Sequence, residues 1–279
     1  MPLTLDEILA SHRTGTPVIM GILNVTPDSF SDGGEFLDAA TAIAHAEQMV
    51  RDGADILDVG AESTRPGSDA VSAEEQIGRL REVLPALMSL GVVVSIDTTC
   101  ADVARFALDT GAMLVNDVAA GRMDDAILPL AAERGAAVCL MHMLGEPKTM
   151  QADPTYDDVV AEVATFLSDR MDAAIAAGVP RERIILDPGI GFGKRLEHNL
   201  ALLANIEVLA ALGQPILIGA SRKRFIGELT GVAEPSDRLT GSLAAALACF
   251  PAATIFRVHD VAQTAQAFAL VRAIRAARR

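Results

Sequence analysis

Asn24, Asp97, Asn116, Asp187, Lys223, Arg257 and His259 are the side chains of this sequence best suited to chemistry. A carboxylate accepts two neighbouring donors at once, which gives a directional grip on the edge of a heterocycle. A guanidinium offers a planar fork to phosphate oxygens, and a protonated imidazole adds a further donor. Other chemistries are excluded. There is no H-E-x-x-H motif and the five histidines are dispersed, which argues against a metal hydrolase. Cys100, Cys139 and Cys249 are odd in number, far apart and without a C-x-x-C pair, so buried, unreactive thiols are expected. The glycine-rich stretch 189–194 is not a P-loop, because Pro188 and Arg195 stand where Gly and Ser or Thr are needed. Lys194 breaks the dinucleotide G-x-G-x-x-G pattern, and is read as structural rather than catalytic. A tight loop that lets backbone approach a ligand fits these glycines better.

These residues are positioned by a regular alternation. Short apolar runs at 18–23, 56–59, 92–96, 113–115, 137–141, 184–186, 216–218 and 254–258 have the character of buried strands. Amphipathic stretches follow them at 39–51, 73–90, 101–110, 125–134, 157–177, 196–212, 239–250 and 262–277. Eight strand-then-helix units imply a parallel sheet covered by helices, and at 279 residues they favour a single-domain α/β (β/α)8 TIM barrel. Polar residues sit just after every strand: Asn24, then 60–67, Asp97, Asn116-Asp117, His142, Asp187, 221–223, and Arg257 with His259. In a barrel these points share the rim where active sites of this fold are built. One polar strand end would be a cap or turn, but eight in register exceed what capping explains.

The formal charge of −14 argues against non-specific nucleic-acid binding, which needs a basic surface. An acidic chain can still hold an anion where a few Arg, Lys and His converge. No apolar stretch reaches transmembrane length, and the N-terminus carries Asp6 and Glu7 with no signal-peptide pattern, so a cytoplasmic protein is expected.

Long, ordered motifs give these residues a context. They are MGILNVTPDSFSDGG from Met20 to Gly34, DVGAESTRPG from Asp58 to Gly67, SIDT from Ser95, VND from Val115, MHM from Met141, DPGIGFGK from Asp187, SRK from Ser221 and RVHD from Arg257. From about Val18 to Val261 the chain resembles the dihydropteroate synthases. The resemblance implies joining of 6-hydroxymethyl-7,8-dihydropterin pyrophosphate to p-aminobenzoate, with release of pyrophosphate, in folate biosynthesis. It also implies a homodimer and a target of sulfonamides, which mimic p-aminobenzoate.

Roles follow by the same resemblance. Asp187 would take the pterin N3–H and 2-amino pair, Asn116 would add an amide contact, and Asp97 would meet the reduced side of the ring. Met141 would line an apolar wall, where a thioether suits a flat heterocycle. Lys223 would bond the pterin edge. Asn24, Thr64, Arg65, Arg257 and His259 would gather around the pyrophosphate, with a magnesium ion held by Asn24, phosphate oxygens and water. Phe192 and Ser221 would meet the p-aminobenzoate, together with Phe30 and Pro66. Asp28 and Asp32, with Phe30, belong to a polar loop 26–35 that suits a lid, and loop 64–68 would close with it. Expulsion of pyrophosphate before attack by the amine, with Asp97, Lys223, Arg257 and His259 as the catalytic set, is the expected path. Two alternatives share the barrel: a pterin-binding methyltransferase using methyltetrahydrofolate and a corrinoid protein, and a non-catalytic pterin-binding barrel. Neither accounts for the anion set.

Overall fold

The computed structural model describes residues 2–26, 35–62, 71–145 and 150–277, with no account of side chains at 35–38. Eight parallel strands run β1 Val18–Asn24, β2 Ile56–Gly60, β3 Val93–Asp97, β4 Leu114–Asp117, β5 Ala137–Met141, β6 Ile184–Asp187, β7 Leu217–Ile218 and β8 Ile255–Val258. Their order is β6-β5-β4-β3-β2-β1-β8-β7. A parallel bridge between Leu186 and Ile216 joins the two edges, so the sheet curls into a barrel with helices outside. The expected (β/α)8 architecture is present. Among the described residues no helix is long and apolar enough to cross a membrane.

Side chains of a strand alternate between two faces, and here that period sorts the whole chain. Val18, Met20, Ile56, Val93, Leu114, Cys139, Ile185 and Ile255 form an apolar layer inside the barrel. Their neighbours Ile19, Leu57, Val94, Val115, Val138, Leu140, Leu186 and Phe256 pack outward against the helices. Two residues beyond members of the inner layer come Asp58, Ser95, Asn116, Met141, Asp187 and Arg257, with Asp97 and Asn24 one further step along their strands. The polar set therefore lies on inward-facing positions, stacked on an apolar floor.

That floor is completed from below. Two short helices, Leu5–Leu9 and Ser11–Thr14, precede β1. Leu5, Ile8 and Leu9 pack into the inner apolar layer and plug the end of the barrel opposite the polar rim. Thr4 and Glu7 form a reciprocal capping box at the start of the first helix. Ser11 Oγ and Thr254 Oγ1 lie 2.8 Å apart and are buried, which ties the plug to the approach to β8.

Some expected elements differ. The stretch 196–212 is two helices, Leu196–Ala204 and Ile206–Ala210, because Asn205 leaves helical geometry at φ −122° and ψ 33°. A helix at Arg224–Thr230 was not expected from periodicity, being only 7 residues long. The expected strand at 113–115 lies at Leu114–Asp117, and that at 216–218 contracts to Leu217–Ile218.

Ile8 is fully buried in the plug. Ile8→Ala should lower the unfolding free energy by about 2–5 kcal/mol through the cavity it leaves. Denaturant unfolding checks this, and substrate KM values at the far rim should be unchanged.

Candidate active site

The centre of the upper barrel is a guanidinium between two carboxylates. Arg257 Nε donates to Asp58 Oδ2 at 2.6 Å, and its Nη2 donates to Asp97 Oδ2 at 2.7 Å. Asp58 is also 3.0 Å from Asn116 Nδ2, which donates to the same Oδ2. The groups come from β2, β3, β4 and β8, so four strands are tied together around one cation. Burial opposes the charge on Arg257, but Asp58 and Asp97 outweigh it and hold the guanidinium protonated. Burial lifts the Asp97 pKa to about 7, where Arg257 pulls it down and Asp58, Asp117 and Glu62 push it up. Asp58 Oδ1, Asp97 Oδ1 and Ser95 Oγ have no protein partner among the described residues, although all are buried. Buried polar atoms left in this way are costly, and they mark a place built to receive hydrogen-bonding groups from elsewhere.

Around this centre the loop after β6 forms a second wall. Gly189 adopts φ +67°, and a Cβ there would stand 1.9 Å from the His142 carbonyl oxygen, so no other residue fits. Its N–H donates to Asp187 Oδ1 at 2.7 Å, and His142 N–H donates to the Asp187 carbonyl at 3.0 Å. Asp187 is thus fixed by its own turn, and burial raises its pKa against the pull of Lys223. Met141, Val118, Met143 and Met150 make a soft apolar surface, with Phe192 packed against it. Such a thioether-rich surface suits a flat ring.

Lys194 holds this wall together. Its Nζ lies 2.9 Å from His142 Nδ1 and donates to the carbonyls of Gly189 and Phe192, each at 3.0 Å. Burial and the Lys194 and Arg122 charges depress His142 to about 3, so the imidazole is neutral and its Nδ1 accepts. Lys194 and His142 are structural, which matches the role expected of Lys194. His142 and Asp117, read from sequence among the rim groups, are not ligand-facing. Asp117 closes a turn by accepting from Ala119 and Gly121 N–H groups at 2.8 and 2.5 Å.

Lys223 and Ser221 come from the loop after β7. Arg222 sits between them in the left-handed region at φ 59°, a strained conformation for a non-glycine residue. Its guanidinium forks onto Asp260 at 3.0 and 2.5 Å, and its N–H donates to Ser242 Oγ at 2.9 Å. Arg222 is therefore a brace, whereas Arg224 is exposed. The bend turns Lys223 inward. Its Nζ donates to the Ile190 carbonyl and stands 4.5 Å over the Phe192 ring. Burial lowers Lys223 to about 8, with Asp187 opposing and Arg257 adding to the fall. Ser221 Oγ lies 3.1 Å from His259 Nδ1 and accepts from His259 N–H. Asp97, Asn116, Met141, Asp187, Phe192, Ser221, Lys223, Arg257 and His259 thus come together at one end of the barrel, as the strand-end pattern requires. Asp28, Phe30, Asp32, Thr64, Arg65 and Pro66 lie outside the described residues. Asp58 was not singled out from sequence, although its place two residues after inward-facing Ile56 could have found it.

The family model of the pterin-binding enzymes matches residues 20–259. The chain is 52% identical over 257 residues to dihydropteroate synthase of Neisseria meningitidis serogroup B, covering 90% of each. The chain belongs to the dihydropteroate synthase family. Dihydropteroate synthase of Xanthomonas albilineans with 4-aminobenzoic acid superposes with a TM-score of 0.89 at 45% identity, over 98% of this chain and 95% of that one. The same organism's synthase in complex with 7,8-dihydropteroate gives 0.85 at 42% identity, over 98% and 96%. Membership in the dihydropteroate synthase family makes the chain a transferase.

Lys194→Met would remove the donor shared by the His142 imidazole and the carbonyls of His142, Gly189 and Phe192. It should lower the unfolding free energy by about 3 kcal/mol, measured by urea titration, with the wall around Asp187 loosened in hydrogen exchange.

Proposed function

We propose that the chain condenses 6-hydroxymethyl-7,8-dihydropterin pyrophosphate with p-aminobenzoate, giving 7,8-dihydropteroate and pyrophosphate. The observation that carries the assignment of residues is the buried Asp97–Arg257–Asp58 group with its unpartnered carboxylate oxygens, beside Asp187 and the methionine wall. A flat, donor-rich ring fits that pairing of acceptors and thioethers. Asp187 accepts the N3–H and 2-amino pair, Asn116 contacts the ring, Lys223 bonds its edge, and Met141 lies against its face. Asp97 faces the reduced side.

The bond that breaks joins the pterin methylene carbon to the diphosphate oxygen, and its electron pair leaves with the diphosphate. The bond that forms joins that carbon to the p-aminobenzoate nitrogen, which then loses a proton. Arg257 and His259, with Thr64 and Arg65, stabilise the departing anion. Asp97 stabilises the positive charge spread into the ring. Ser221 and Phe192, with Phe30 and Pro66, seat the benzoate, and Asp28 and Asp32 complete the substrate-binding set. No side-chain nucleophile takes part, so catalysis comes from positioning and electrostatics. Because burial lifts Asp97 to about 7, the negative charge it offers the ring rises with pH through this range.

Magnesium would sit beside Asn24, whose Oδ1 lies 3.8 Å from where a Cβ on Gly60 would stand, so the bare glycine leaves room next to that oxygen. Among the described residues no three His, Cys, Asp or Glu converge as a metal cage. Asn24 with diphosphate oxygens and water is a suitable donor set for this hard cation. When bound, the ion would neutralise charge on the leaving diphosphate. A cytoplasmic homodimer is the setting we propose, on family likeness.

The test is an assay with dihydropterin pyrophosphate, p-aminobenzoate and magnesium that follows dihydropteroate and pyrophosphate together. Equal, magnesium-dependent amounts are expected; binding of pterin with neither product would favour a methyltransferase or a binding module. Asp187→Ala should raise the pterin KM by roughly 10- to 100-fold, whereas Arg257→Ala should mainly lower kcat; full activity in both variants would refute the assignment. The pH profile of kcat/KM should be bell-shaped. It should fall below about 7 as Asp97 takes up a proton and above about 8 as Lys223 loses one. In Lys223→Met the alkaline limb should vanish.

A further inference from the structure

Asp58 carries no step of the reaction above, yet it is fully buried and holds two groups of the site through one oxygen. In the strand register it pairs with Ser95, one step below the Gly60–Asp97 pair. Its Oδ2 accepts from Asn116 Nδ2 at 3.0 Å and from Arg257 Nε at 2.6 Å. A carboxylate only accepts, so the NH2 end of the Asn116 amide is the end that must face Asp58. The carbonyl end of that amide is thereby turned away from Asp58. The same oxygen fixes the plane of the guanidinium, whose Nη2 reaches Asp97 Oδ2 at 2.7 Å.

Arg257 is balanced by Asp58 as well as by Asp97. Charge balance alone does not call for one oxygen to hold Asn116 Nδ2 beside Arg257 Nε, and orientation supplies that reason. We propose that Asp58 is a positioning residue: by holding Asn116 Nδ2 and Arg257 Nε on one oxygen, it commits Asn116 to offering Oδ1 to the pterin. Asn116 is then an acceptor toward its ligand, so the site favours a ring that brings a donor to that point. This rests on the rim being the pterin site.

The experiment is calorimetric binding of 6-hydroxymethyl-7,8-dihydropterin pyrophosphate to the full chain, with steady-state kinetics alongside. Asp58→Asn should weaken pterin binding about 10- to 100-fold and leave the p-aminobenzoate KM within about twofold. In an Asn116→Ala background its effect on binding should shrink, because the residue it orients is gone. Independent, multiplicative effects of the two substitutions would overturn the proposal. Asn116→Asp gives a second test that does not need Asp58 variants to fold. Aspartate still presents an oxygen to the ligand but has no donor for Asp58, so binding should fall about tenfold or more; wild-type affinity would overturn the proposal. Pterin binding is read without turnover, so failure of this inference and failure of the synthase assignment are separable.

Discussion

One buried cation organises the upper half of this barrel. Arg257 cannot lose its charge, and in this interior it must be matched by carboxylates at short range. Asp58 and Asp97 supply them from neighbouring strands, and Asn116 joins through Asp58. The spacing of β8, β1, β2, β3 and β4 around the barrel is what lets these side chains meet. If the sheet were to slip by one residue, every one of these groups would exchange its inward face for an outward one. The apolar floor under them and the plug of Leu5, Ile8 and Leu9 enforce that register, since a slip would also expose Ile56, Leu114 and Ile255.

Much of this was legible in the sequence because β-strand alternation and the C-terminal rim of a barrel impose simple rules. Asp187, Asn116 and Arg257 could be placed from the ends of apolar runs. The strand-end pattern also gathered groups that serve the scaffold, because a polar residue after a strand can close a turn as readily as face a ligand. Asp117 and His142 are such cases, and only their hydrogen bonds separate them from Asn116 and Asp187. Asp58 was passed over since it lies within its strand and not at its end. The plug was missed although Thr4 and Glu7 have capping-box spacing, because five residues carry too little periodicity to stand out. The break at Asn205 lies in a continuous apolar pattern, which hides the loss of helical geometry at a single residue.

The two walls of the site are stabilised by different means. Around Arg257 the ordering force is charge, supported by burial. Around Asp187 it is a turn whose shape is set by glycine and by the Lys194 ammonium lying among backbone carbonyls. The loop between Ser221 and Lys223 adds a third means, local backbone strain at Arg222 balanced by its fork onto Asp260.

The close approach of Gly189 to the His142 carbonyl has a consequence for inhibition. At 1.9 Å from that oxygen there is no room for even a methyl group, so no single substitution at this position can add bulk while keeping the turn. A compound that rests on this part of the wall would press against backbone the protein is unable to redecorate one codon at a time. Escape from it would have to come through neighbouring positions, and those nearest, Asp187 and Met141, are the ones proposed to hold the pterin ring.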